Sequence, residues 1–251
     1  FEADDQLILD EYAGDKIPKK NFENEAKLWS NYKTDYKPIV EYAVENNIKL
    51  AATNIPRRYA ARVARAGLES LANLSEKAKE YFPQPPIEVD LSLGCYKKME
   101  SMAAHMPAVK KTESEKDDEN KTEKTESEKD DKEDNDEDSN TQPGKKPVHF
   151  DHGRMMKMVK NFKEAQAVKD AAMAYFIGQN MPLNGWLLHL NGAWHSDNYE
   201  GIVWFVRRDM PDRKILTITT IEKENMDEIS DEEAKKADYI ITTPASMIKT
   251  H

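Results

Sequence analysis

The 251 residues are enough for one good core or two small ones, and no apolar run reaches the roughly 18 residues that a membrane span needs. One cysteine, Cys95, excludes an internal disulfide and a thiolate zinc cluster, and reads as a small buried side chain rather than a reactive thiol. The net charge of -10 is carried entirely by residues 112–138, with fifteen acids and five lysines; the remaining 32 acidic and 32 basic residues cancel, which speaks against a nucleic-acid partner.

The first residues, Phe1-Glu2-Ala3-Asp4-Asp5-Gln6, carry neither a basic nor an apolar targeting region. Leu7, Ile8, Leu9 and Tyr12 predict a short helix over Asp4–Tyr12, ended by Gly14. A second helix is expected after Pro18, with Phe22, Ala26, Leu28 and Trp29 near one face. Asn31 to Pro38 reads as a loop, Ile39 to Val44 as a helix and Ile48 to Thr53 as a strand. After Asn54-Ile55-Pro56-Arg57-Arg58-Tyr59, residues Ala60 to Leu74 read as helical, with Pro56 suited to the first turn. The paired arginines suit a carboxylate or phosphate ligand, or else pair with nearby acids.

Phe82-Pro83-Gln84-Pro85-Pro86 breaks the chain, and a helix is expected from about Tyr96 to Val109, carrying Met99, Met102, His105 and Met106. The acidic repeat that begins at Lys111 returns at Lys124, and no apolar residue lies between Lys111 and Gln142, so residues 111–145 read as a disordered insertion. Beyond it come His149, His152 and Arg154 among Met155, Met156 and Met158. With Tyr96 and His105 on the other side, these segments suit a mobile flap for a flat apolar ligand with anionic edges. Methionines at such spacing serve equally as core.

Phe162 to Ile177 predicts a helix closed near Gly178, with Gln166, Asp170 and Met173 on one face as either a polar site or a solvated surface. The run Trp186-Leu187-Leu188-His189-Leu190 reads as a buried strand feeding the polar loop Asn191-Gly192-Ala193-Trp194-His195. Loops beyond the carboxyl ends of strands are the usual ligand sites of α/β sheets. His195 there has the chemistry to bind metal, take a proton or grip an anion, or it is simply a hydrogen-bonded loop histidine. A helix through Ile202–Val206, a strand over Lys214–Ile221, an acidic helix over Ser230–Lys236 and a strand over Asp238–Thr243 complete the chain. The reading is one α/β domain over 1–251, interrupted by 111–145, with a central mixed, largely parallel sheet flanked by helices.

Five motifs, Phe1-Glu2-x-x-Asp5-Gln6, Trp29-x-Asn31-Tyr32 leading to Tyr36-x-Pro38, Thr53-Asn54-Ile55-Pro56-Arg57-Arg58, Ala165-Gln166-x-x-x-Asp170-x-x-Met173-Ala174 and Asn191-Gly192-x-x-His195, stand in one order. In that order and spacing the chain resembles the ChaN-like haem-binding uptake family, related to Tiki and TraB proteins. The resemblance implies an α/β fold, haem or porphyrin as ligand, a role in iron uptake, and a cell-envelope lipoprotein on the periplasmic side or at the outer membrane.

It implies as ligand-contacting candidates His195, Tyr96, Tyr199, His105, His149, His152, Arg57, Arg58, Arg154, Asn54 and Gln166. A binding protein is expected rather than an enzyme. The alternative is a metal-dependent hydrolase, in which a divalent ion is held by His195 with Glu2 and Asp170. In the superfamily such a metal also uses an early Gly-Glu-x-His, which this sequence does not contain. The expectation is therefore a homodimer, or association with an N-terminal segment that would cover a sheet edge, with any lipid anchor upstream of Phe1.

Overall fold

In the computed structural model, residues 1–104 and 152–249 are described. The expected insertion, and with it His105 and His149, lies outside the described residues. The chain is a mixed α/β protein whose helices pack around one long helix beside a parallel sheet.

A 3₁₀ turn at Ala3–Asp5 leads into α1 (Gln6–Ala13), followed by α2 (Lys19–Glu25), a π-helical turn at Tyr32–Tyr36 and α3 (Lys37–Glu45). Leu9, Phe22, Tyr32, Val40 and Ala52 close a first apolar cluster, in which the Tyr12 and Phe22 rings stack with centroids 4.7 Å apart. Helix α4 (Arg57–Ala66) starts directly after Pro56, which flanks its N-terminus. It is shorter than the predicted helix, because Gly67 at φ +85° ends it and a 3₁₀ stretch, Leu68–Asn73, carries on. Glu164 fixes that break by accepting the Leu68 N–H at 2.8 Å.

The central element is α7 (His152–Asn180), reached after α5 (Glu76–Lys79) and α6 (Gly94–Ala104). It runs past both ends of the predicted helix, with Gly178 inside it. One side meets α4 through Ala165, Val168 and Ala172; another meets α8 (Ile202–Asp209) through Ala171, Met173, Ala174 and Ile177; a third places Ala167 against Cys95 and Tyr96 of α6. Five alanines among these positions let neighbours approach closely on several sides, and that is why α7 shows no single apolar stripe.

The regular sheet consists of β1 (Ile218–Lys223) and β2 (Tyr239–Pro244), parallel, with Ile218 opposite Tyr239 and Lys223 opposite Pro244. Both start later than the sequence predicts, and the expected acidic helix between them is only a 3₁₀ turn, Glu233–Lys235. Of the predicted strand Ile48–Thr53 only a parallel bridge at its end remains, Asn54 to Glu2. Trp186–Leu190 forms no regular strand either. Its burial alternates as on a strand, with Leu187 and His189 half-buried, but Trp186 and Leu188 are 95% and 80% exposed, so the predicted burial is corrected. A short apolar run shows that a segment has strand chemistry, whereas a ladder needs a neighbour that the run cannot specify.

Candidate functional site

The site grows from one carboxylate. Asp170 stands near the middle of α7 and is 1% exposed. Its Oδ2 accepts the Tyr96 hydroxyl at 2.6 Å, and its Oδ1 lies 2.5 Å from Nδ1 of His195. With Tyr96 as donor on one oxygen, the carboxylate takes the Nδ1–H of His195 on the other, and among the described residues Nε2 has no hydrogen-bond partner. Burial pushes the Asp170 carboxyl above its usual range, and the bonds from His195 and then Tyr96 pull against that. Tyr96 is itself pushed strongly up, by burial first and by Asp170 second, so it stays a phenol that donates.

Each partner is positioned by a separate element. Tyr96 rides on α6, whose first N–H groups, Gly94 and Cys95, donate to the two Glu200 oxygens at 2.8 and 2.6 Å. A carboxylate there satisfies free donors and opposes the positive end of the helix. His195 ends a 3₁₀ turn, Ala193–His195, that starts at Gly192, and Asn191 Nδ2 ties the turn to Ser196 Oγ at 3.0 Å. The return of the chain to α8 is held in positive φ at Asn198, Tyr199 and Gly201. That loop is braced by Asn198 N–H on the Lys236 carbonyl, Thr219 Oγ1 on Asp197, and the Tyr199 hydroxyl on Asp238. Strained backbone held by this many bonds fixes where His195 points.

Sequence reasoning missed His189. Its Nε2 lies 2.9 Å from Thr53 Oγ1 and its Nδ1 3.1 Å from Asn191 Oδ1, so it joins the segment before α4 to the His195 loop. Burial depresses its pKa, and His195 adds to that, so a second, neutral imidazole stands beside the first. The signal was available: a histidine on the half-buried side of an alternating apolar run has to find partners.

The other candidates fall into distinct groups. Arg57 donates to Glu2 through Nε at 2.5 Å and through its backbone N–H at 3.1 Å, while Arg58 pairs with Asp4 and lies over the Tyr59 ring. Lys27 bridges Asp4 at 2.7 Å and Glu2 at 3.3 Å. Both arginines thus pair with the chain's own acids, and their side chains remain 68% and 49% exposed. The Asn54 side-chain oxygen is buried and, among the described residues, without a hydrogen-bond partner. Gln166, one turn before Asp170, accepts from Lys169 Nζ at 3.3 Å. Tyr199 is half-buried, under Arg207. His152 and Arg154 stand in the first turn of α7.

Among the described residues no three of His, Cys, Asp and Glu gather in a way that could hold a metal ion, so Glu2, Asp170 and His195 do not form such a set. A pocket of about 310 Å³ between Gln6, Asp10, Lys49 and Asn180 contains no imidazole. No helix among the described residues is long and apolar enough to cross a membrane.

The profile of a family described as haem-binding uptake, Tiki superfamily, ChaN matches residues 1–206. No curated protein and no solved structure matches the chain.

Proposed function

Because the chain belongs to the haem-binding uptake family of the Tiki superfamily that includes ChaN, we propose that it binds haem or a related porphyrin for iron acquisition, with His195 reaching the iron. The observation that carries this is the Asp170–His195 bond. An imidazole whose Nδ1–H is committed to a buried carboxylate has a fixed tautomer and ring orientation, the usual outer support of an iron-bound histidine. Haem supplies the iron that Nε2 would ligate.

The chain's own groups fit such a ligand. Tyr96 is spent on Asp170, so it supports the histidine instead of competing for iron. Met155, Met158 and Phe162 lie at three- and four-residue spacing on α7, and Met158 and Phe162 are exposed, which suits contact with a flat apolar ring. A place at the cell envelope, on the periplasmic side, goes with an uptake role.

Titrating the protein with ferric haem tests the reading. A saturable Soret shift at one haem per chain, lost or moved in His195→Ala, is expected. No Soret shift with the wild-type chain removes the proposal, and a spectrum unchanged in His195→Ala removes the role of that residue.

A further inference from the structure

We propose that Lys169 is the anion-binding residue of the His195 site, placed to take a carboxylate of the ligand. This rests on the haem-binding reading above. Lys169 directly precedes Asp170 on α7, one residue from the carboxylate that holds His195. It is half-buried, and among the described residues its ammonium meets one neutral acceptor, Gln166 Oε1 at 3.3 Å, with no carboxylate at ion-pair distance.

Arg57, Arg58 and Lys27, by contrast, each have a carboxylate of Glu2 or Asp4 at ion-pair distance. The nearest carboxylate to Lys169 along α7 is Asp170, whose two oxygens are taken by Tyr96 and His195. A half-buried ammonium with no carboxylate at ion-pair distance among the described residues is an unfavourable arrangement, which an incoming anion would relieve. Burial accordingly holds the Lys169 pKa below its ordinary value, against the pull of Asp170.

Gln166 sits one turn earlier and orients the ammonium through its carbonyl oxygen, and among the described residues the remaining N–H donors have no acceptor. Haem presents just the complementary chemistry, an apolar disc with carboxylates on one edge. The same cation would take a carboxylate from another porphyrin, so the esterified ring is the informative control.

The experiment titrates the full chain with haem and, separately, with haem dimethyl ester, following the Soret band in wild type, Lys169→Gln and Lys169→Arg. Haem affinity should fall about tenfold in Lys169→Gln, as expected for loss of one charge-assisted bond, and be largely kept in Lys169→Arg. The ester should bind wild type and Lys169→Gln alike, and the melting temperature of Lys169→Gln should hold or rise, since a desolvated charge is gone. Equal haem affinity in wild type and Lys169→Gln, or an equal loss for haem and ester, overturns the assignment. A wild-type chain that binds neither ring overturns the haem-binding reading itself, and this assignment falls with it.

Discussion

Gly201 lies flat against His195: a Cβ on Gly201 would stand 2.5 Å from the His195 carbonyl oxygen and 3.1 Å from Asp170 Oδ2. With φ at +54° and ψ at -122°, its backbone occupies a region that residues with a Cβ avoid. The glycine therefore lets the loop close over the carboxylate that holds the histidine. Gly201→Ala should destabilise the fold by roughly 2 kcal/mol or more, from strain and from displacement of the His195 turn. Thermal melts check this, and a variant as stable as wild type would show that the turn tolerates a shift.

Asp170 and Tyr96 should separate in their effects. Asp170→Asn presents an amide to two donors, so it leaves the His195 tautomer undetermined, and haem affinity should drop by about 10- to 100-fold. Tyr96→Phe leaves Asp170 Oδ2 buried without its donor, which should cost about 1–3 kcal/mol of stability while the Soret position stays that of wild type. Denaturant unfolding paired with haem titration reads both. A Soret band displaced in Tyr96→Phe but not in His195→Ala would make tyrosine the ligand.

How much of this was legible in the sequence follows from what each signal depends on. The Gln166, Asp170, Met173 spacing placed three side chains on one face of α7, and Gly192-x-x-His195 located the loop, because both are local properties of the chain. That Asp170 and His195 meet depends on how the loop returns across α7, which no local pattern states. Glu200 illustrates the same limit: its carboxylate anchors the start of α6, more than a hundred residues earlier. Arg57 and Arg58 carried two open readings, and the acids they pair with, Glu2 and Asp4, lie far away in sequence. Trp186–Leu190 displayed strand alternation without the neighbour that makes a ladder.

His189 gives stability a pH dependence near neutrality. Burial holds its pKa below the ordinary 6.5, so between the folded pKa and 6.5 the unfolded chain binds more protons than the folded one. Its contribution is then fully present above pH 6.5 and is lost as pH falls through the folded value, with the Thr53 contact weakening as the ring gains charge. Melting temperatures recorded from pH 8 to pH 5 should fall for wild type and fall less for His189→Gln. Parallel curves would assign the acid sensitivity to other groups.

The charge distribution makes a prediction about association. Residues 112–138 carry the whole net charge of -10, so their deletion leaves a body with 32 acids and 32 bases. A chain near zero net charge loses the mutual repulsion that keeps molecules apart, and exposed apolar side chains such as Trp186 at 95%, Leu188 at 80% and Leu183 at 92% then meet with less opposition. The deleted protein should self-associate at neutral pH and low salt, as seen by light scattering, and recover at a pH two or more units away. Haem binding should survive in its monomeric fraction, since His195, Asp170 and Lys169 all lie outside the deleted stretch. Loss of haem binding in a monomeric, folded deletion variant would instead make the acidic stretch part of the site.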